Sequence, residues 1–157
     1  MKGKVVHADK LENAGLLMRK NLIFDASSTY IMIKGKDLES LRDSSTLDLA
    51  FYEIGNAVLQ ESRMEIIDQR ASAAIAQVLQ NLAGIMNVVP FGNLNAENVL
   101  KIARQARLTF YDASYIELAK SNKEALTTDD SPLDIAARRK GIKTYSARNH
   151  PTRSKKA

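Results

Sequence analysis

The amino-acid sequence predicts an α/β domain built on a parallel, doubly wound sheet. Short apolar runs that suit buried strands alternate along the chain with longer segments of helical periodicity, which is the order typical of this fold class. The chain has 157 residues, 45% of them hydrophobic and 26% charged, which suits one globular domain with a single core. Cysteine is absent and only two histidines are present, so a bound metal would take oxygen ligands.

The first third of the chain predicts one strand and two helices. Residues 21–24 form an apolar run of the kind that parallel sheets bury. A helix is expected over residues 26–33, and Gly35 suits its C-terminal end. The strongest helical signal covers residues 47–60, where apolar side chains recur three and four positions apart and form one face. Glu53 borders that face, and a carboxylate at the edge of a packed face needs a partner.

The middle of the chain predicts further helices around a second strand. Residues 60–86 are rich in Ala, Ile and Leu and read as a long helical region that is either core or a dimer face. The apolar run at residues 88–91 predicts a strand. A helix with an apolar stripe follows over residues 95–108, starting at an asparagine.

The last third predicts two strands and two helices. A helix with Asp112 in its first turn is expected to run to about residue 120, before a strand at residues 125–127. The next helix covers residues 131–140, with a proline near its first position. A last strand is expected at residues 142–145. Right-handed crossovers would place the ends of the first strand and of the strand at residues 125–127 at the same edge of the sheet.

Four acidic side chains fall where such a sheet places ligand groups. Asp25 and Asp130 follow strands, Asp112 begins a helix, and Glu53 borders a packed helical face. Ligands of open α/β sheets bind outside the carboxyl ends of the strands. Each acid also has a structural interpretation, such as an N-cap for Asp25. Because the hydroxyl residues after Asp25 could cap the helix equally well, we interpret Asp25 as functional.

The four acidic segments together resemble one nuclease family. They read F-D-A-S at Asp25, E-I-G-N at Glu53, Y-D-A-S-Y at Asp112 and T-T-D-D-S-P-L at Asp130. In this order they resemble the PIN-domain nucleases, and among these the VapC toxins of type II toxin–antitoxin pairs. The resemblance covers about residues 21–145. It implies a PIN-like three-layer α/β/α domain with a small parallel sheet, and a divalent-metal-dependent endoribonuclease.

The resemblance also implies roles for particular residues. Asp25, Glu53, Asp112 and Asp130 match the catalytic acids of the family. We expect Asp25 and Asp112 to be the principal ligands of Mg²⁺ or Mn²⁺, Asp130 to hold a second ion or a metal-bound water, and Glu53 to orient or deprotonate the attacking water. Further residues match supporting positions: Ser27, Asn56, Thr128 and Asp129. A shift of one residue would exchange the roles of Asp129 and Asp130.

Charge is distributed unevenly along the chain. Residues 21–137 carry ten Lys/Arg and sixteen Asp/Glu, whereas residues 138–157 carry eight Lys/Arg and no acid. A basic tail on an acidic body suits a polyanionic partner such as RNA, although a solvated, frayed terminus explains it as well. The candidate phosphate contacts in this tail are Arg148, Arg153, Lys155 and Lys156.

These patterns divide the chain into an N-terminal extension at residues 1–20, a nuclease domain at residues 21–146 and a basic C-terminal tail at residues 147–157. No apolar run approaches the roughly 20 residues of a membrane helix, and no signal-peptide pattern is found, so we expect a cytoplasmic protein without membrane contacts. The expected partners are an RNA substrate, a small antitoxin protein and a second copy of the chain in a homodimer.

Two other classes of function compete with the nuclease. A catalytically silent PIN-like RNA-binding or scaffold module would lack an acid, and none is missing. A receiver-type signalling domain needs paired acids after its first strand, whereas the clearest acid pair here is Asp129-Asp130, late in the chain. A PIN nuclease that works in RNA processing without an antitoxin stays open.

Overall fold

The computed structural model describes residues 22–150. In this part of the chain, five parallel strands form one sheet in the order β3-β2-β1-β4-β5. The strands are β1 Leu22–Phe24, β2 Ser45–Leu47, β3 Asn87–Val89, β4 Ala125–Thr127 and β5 Thr144–Tyr145. Since β1 lies beside β4, with Leu22 opposite Ala125, the carboxyl ends of these two strands share one edge of the sheet.

Helices cover both faces of this sheet. The α-helices of the described chain are α1 Ala26–Lys34, α2 Leu49–Arg63, α3 Gln69–Leu82, α4 Ala96–Ala106, α5 Phe110–Asn122 and α6 Ser131–Arg139. Short 3₁₀ turns are present at Glu39–Leu41 and Phe91–Asn93. The predicted three-layer α/β/α fold with a small parallel sheet is therefore confirmed.

Alternate residues of β1 supply two separate cores. Ile23 joins α4, α5 and α6 on one face, where Ile116 and Leu133 are fully or almost fully buried. Leu22 and Phe24 point to the other face and pack with α1, α2 and α3. This alternation is the two-residue period of a strand, and it explains why so short a strand is buried on both sides.

Strand β2 was not predicted. Its residues Ser45 and Thr46 are polar, yet both are buried. Their hydroxyls are satisfied locally: Thr46 Oγ1 donates to the carbonyl oxygen of Phe24 at 2.8 Å, and Ser45 Oγ accepts from Asn87 Nδ2 at 3.2 Å. Hydrogen bonds to neighbouring strands thus replace the apolar pattern that strand prediction relies on.

The long helical region predicted at residues 60–86 is interrupted. Helix α2 ends at Arg63, Glu65 adopts a left-handed conformation with φ of 57°, and α3 begins only after Asp68, whose side chain caps it. Most of α3 is exposed, and Leu82 is its one fully buried side chain. The interpretation of this segment as core is therefore wrong for most of its length, and its interpretation as a dimer face stays a prediction.

The chain after β5 packs against the domain as far as the structure describes it. Ala147 is fully buried, and the ring of His150 lies 5.6 Å from that of Phe24, centroid to centroid. The predicted extension at residues 1–20 and residues 151–157 of the predicted tail lie outside the described chain. Among residues 22–150, no helix has the length and apolar character needed to cross a bilayer.

Candidate active site at the carboxyl edge of the sheet

A pocket of about 310 Å³ lies where β1 and β4 end. The four predicted catalytic acids, Asp25, Glu53, Asp112 and Asp130, all line it. They arrive from four different elements, because Asp25 precedes α1, Glu53 lies within α2, Asp112 is in the first turn of α5 and Asp130 precedes α6. The sheet and its crossover connections therefore bring together side chains that are more than a hundred residues apart.

Asp25 is held by hydroxyl and backbone donors. Its Oδ1 accepts from the backbone N–H of Ser28 at 2.7 Å and from Ser27 Oγ at 3.1 Å, and the Thr128 hydroxyl lies next to the same carboxylate. Asp25 is therefore the N-cap of α1, which is the structural alternative named in the sequence analysis, and the hydroxyl residues after it do not take that position. Burial raises the pKa of Asp25, and these hydrogen bonds lower it only in part.

Glu53 is the acid with the least local support. It is half-buried in the middle of α2 and forms no ion pair within the described chain. Burial raises its pKa, and the negative charges of Asp112 and Asp25 raise it further. The hydroxyl of Tyr115 lies nearby and opposes this rise. Glu53 thus retains a proton more readily than an exposed glutamate does.

Asp112 and Asp130 each occupy a helix start. Thr109 Oγ1 donates to Asp112 Oδ2 at 2.8 Å and accepts from the backbone N–H of Asp112 at 3.1 Å, which joins the cap of α5 to this acid. Asp130 is exposed, and its Oδ1 accepts from the N–H of Leu133 at 2.9 Å as the N-cap of α6. Both acids therefore lie at a helix start and at the pocket at the same time.

The structure separates the two adjacent acids Asp129 and Asp130. Both carboxylate oxygens of Asp129 accept hydrogen bonds from the segment after β5, one from Ser146 Oγ and the other from the N–H of Ala147 at 2.9 Å. Asp129 thereby fastens that segment and does not line the pocket, whereas Asp130 does. The assignment of Asp130 as the fourth acid agrees with this geometry.

The other predicted site residues differ in their positions. Ser27 and Thr128 both contact Asp25, as expected for supporting hydroxyls, and Thr128 Oγ1 also accepts from the N–H of Asp130 at 3.1 Å. Asn56 is exposed and lies outside the pocket lining. Arg148 is exposed, while Arg153, Lys155 and Lys156 lie outside the described residues.

Sequence reasoning did not single out Tyr115, which also lines the pocket. Its side chain is 2% exposed, and burial, Glu53 and Asp25 raise the pKa of its hydroxyl well above its usual value. Helix α5 is buried over seven consecutive residues, and for that reason an aromatic residue within it is expected to be a core residue. Only its spacing of three residues from Asp112, one helical turn, distinguishes Tyr115.

The donor set of this pocket fits a hard divalent cation. The lining contains four carboxylates and no lysine or arginine, so its negative charge is not balanced by the described residues. Mg²⁺ binds through one or two carboxylates and keeps several waters. Between residues 22 and 150, no group of three or more acidic or histidine side chains is placed to hold one metal ion by itself.

Comparisons with known proteins place the chain in a family. No family model matches the sequence. The curated protein Exonuclease VapC9 from Pyrobaculum aerophilum is 30% identical over 113 residues, which cover 71% of this chain and 81% of that protein. The crystal structure of PAE2754 from Pyrobaculum aerophilum has a TM-score of 0.70 and 30% identity, and the match covers 85% of this chain and 88% of the other. The chain belongs to the VapC-like PIN nucleases.

Proposed function

We propose that the protein is a divalent-metal-dependent endoribonuclease and the toxin of a VapBC-type toxin–antitoxin pair, active in the cytoplasm. The observation that carries this proposal is the convergence of four carboxylates, without a balancing cation, in a chain of the VapC family. The alternative of a silent RNA-binding module is disfavoured because all four acids line one pocket.

The proposed roles follow from the environment of each acid. Asp25 and Asp112 would hold Mg²⁺ or Mn²⁺, and Asp130, at the exposed rim, would bind a second ion or a metal-bound water. A bound divalent ion supplies an acidified water and charge stabilisation at the phosphate. Glu53 would take the proton of the attacking water, because a carboxylate with a raised pKa is the better base near neutral pH. Ser27 and Thr128 fix Asp25 in place.

The first experiment measures cleavage of labelled RNA with Mn²⁺ or Mg²⁺, with and without EDTA. Asp25→Asn is expected to abolish cleavage while the fold is kept, because asparagine caps helices as well as aspartate does. Asp68→Asn is the matched control, since Asp68 caps α3 through the same contact but lies outside the pocket. Cleavage that persists in Asp25→Asn, or in EDTA, would contradict the proposal.

The second experiment distinguishes internal from terminal cleavage. The name of the curated relative specifies an exonuclease, so both modes need a test. A covalently closed RNA circle has no end from which an exonuclease could start. Linearisation of the circle supports the endonuclease, whereas degradation of linear RNA alone would assign an exonuclease.

We further propose a homodimer and an antitoxin contact. Several large apolar side chains on and just after α2 are exposed: Tyr52, Leu59, Met64 and Ile66. Exposed apolar patches mark interaction sites in soluble proteins, and we infer that these side chains contribute to one. Light scattering at micromolar concentration tests the dimer, and a monomer there would refute it. Co-expression with the product of a neighbouring short reading frame tests the antitoxin.

A further inference from the structure

The buried hydroxyl of Tyr115 has no partner in the described chain. Three buried side-chain oxygens of residues 22–150 lack a hydrogen bond of acceptable geometry, namely Ser28 Oγ, Tyr115 Oη and Thr127 Oγ1. Of these side chains, only that of Tyr115 lines the pocket. Because a buried polar group without a partner destabilises the folded state, a tyrosine kept here in place of a phenylalanine points to a role in the site.

The surroundings of Tyr115 limit which hydrogen bonds it can form. Its hydroxyl lies near the Glu53 carboxylate, the Thr46 hydroxyl and the backbone N–H of Ala26, although none of them reaches hydrogen-bond geometry. Thr46 already donates its single proton to the carbonyl oxygen of Phe24 at 2.8 Å, so toward Tyr115 it can only accept. The N–H of Ala26 belongs to the first turn of α1, where no helical partner exists.

The proton of Tyr115 therefore has two acceptors available, Thr46 and Glu53. An ionised carboxylate is a much stronger acceptor than a hydroxyl. A phenol is also protonated at neutral pH and is available as a donor. The favoured arrangement has Tyr115 donating to Glu53 while its oxygen accepts from the N–H of Ala26, next to Asp25.

We propose that Tyr115 is a positioning residue, which fixes the Glu53 carboxylate relative to Asp25 so that it faces the attacking water. This inference rests on the proposed nuclease function. Since Tyr115 is only 2% exposed and Glu53 is half-buried, the tyrosine lies at the floor of the pocket and acts through Glu53 rather than on the RNA.

The test compares Tyr115→Phe with Tyr111→Phe in the full chain. Tyr111 lies on the same helix next to Asp112 but is 55% exposed, so it controls for loss of a tyrosine hydroxyl. Tyr115→Phe is expected to lower kcat about ten-fold, a fraction of what a general base contributes, with KM and Mn²⁺ affinity by calorimetry within about two-fold. Its thermal midpoint is expected to stay within a few degrees of that of the wild type, because one hydrogen bond contributes little net stability.

A double-mutant cycle separates positioning from packing. In a Glu53→Gln background, Tyr115→Phe is expected to change the residual rate by less than about two-fold, since the group that it positions has gone. A further loss of about ten-fold in kcat in the Glu53→Gln background, or an unchanged kcat in Tyr115→Phe alone, would overturn the proposal. A lowered thermal midpoint together with weaker Mn²⁺ binding would also overturn it in favour of a structural role.

A readout without cleavage keeps this inference separate from the proposed function. The ¹³C chemical shift of the Glu53 carboxylate in the metal-free protein is expected to change in Tyr115→Phe and not in Tyr111→Phe. If the wild type cleaves no RNA but this shift changes, the nuclease proposal fails while the contact stands. If the shift does not change, the positioning role fails whatever the wild type does.

Discussion

Replacing Glu53 by glutamine is expected to stabilise the metal-free protein while it slows cleavage by about 10²- to 10⁴-fold. The side chain is half-buried within α2 and faces the negative charges of Asp25 and Asp112 without an ion-pair partner in the described chain. Glutamine has nearly the same shape and removes both the like-charge repulsion and the cost of desolvating a carboxylate. Active sites commonly contain groups that reduce the stability of the fold in this way.

The pH dependence of the effect follows from the raised pKa of Glu53. Since this pKa lies above its usual value of 4.5 in the folded chain, the folded state binds the proton more tightly than the unfolded state does. The wild type therefore loses stability as the pH rises from the usual to the raised value, and Glu53→Gln lacks this contribution to the loss. Substitutions of this class stabilise by about 0.5–2 kcal/mol, which raises the thermal midpoint by about 2–4 °C per kcal/mol in a chain of this length.

The assay is thermal unfolding in EDTA from pH 4 to pH 8. The difference between Glu53→Gln and wild type is expected to be small at pH 4, to grow as the pH rises and to shrink again when Mn²⁺ is added. Glu124→Gln is the matched control, because Glu124 is also half-buried with a pKa raised by desolvation, but it lies outside this pocket. An equal gain in both variants, or a loss in Glu53→Gln, would refute the role of like-charge repulsion.

Three further predictions concern the periphery of the site. Asp129→Ala removes both hydrogen bonds to the segment after β5 and is expected to lower the free energy of unfolding in urea by about 1–3 kcal/mol, with little change in cleavage. A large loss of cleavage would mean that Asp129 acts in the reaction. The Lys34 ammonium, 2.9 Å from Glu61, holds the pKa of Glu61 below its usual value, so Glu61→Gln is expected to lower the free energy of unfolding by up to about 1 kcal/mol at pH 7. The difference from wild type should vanish as the pH falls through the lowered pKa, and a difference that stays constant with pH would contradict this linkage. Deletion of residues 151–157 together with Arg148→Ala is expected to reduce the slope of log K for RNA binding against log[salt] by about 0.7 for each phosphate that the tail neutralises. An unchanged slope would show that the tail contacts no phosphate.

The sequence allowed the acids to be located because three of them sit at element boundaries with a recognisable pattern and Glu53 borders a periodic apolar helix face. Asp25 and Asp130 follow buried strands, and the boundaries of the helices that begin after them were predicted to within one residue. The placement of the carboxyl ends of β1 and β4 at one edge of the sheet followed from the handedness of parallel crossovers, and the parallel pairing of the two strands confirms it. Features that depend on local sequence pattern or on general rules of sheet topology could therefore be predicted from the sequence.

Hydrogen bonds between residues far apart in the chain could not be predicted from the sequence in this way. Strand β2 has a polar sequence because its hydroxyls are satisfied by β1 and β3, which no window of the sequence reveals. The different environments of Asp129 and Asp130 depend on the return of the chain after β5, a contact over eighteen residues. The position of Tyr115 near Glu53 depends on α2 and α5, which cover opposite faces of the sheet, meeting at the pocket, and the sequence shows only a buried helix.

The fold compensates the charge of its four acids unequally. Asp25 and Asp130 are N-caps, and Asp112 lies in the first turn of α5, so three of the carboxylates lie at helix N-termini, where backbone N–H groups and the helix dipole favour negative charge. Glu53 lies in the middle of α2 and receives no such stabilisation. Glu53 is thus the one of the four acids without a helix N-terminus, and it is the acid to which we assign the proton of the attacking water. The three acids assigned to metal each have such a helix N-terminus, although burial still raises the pKa of Asp25. A base must give up and regain a proton during turnover, whereas a ligand must stay ionised, so this unequal compensation matches the division of roles.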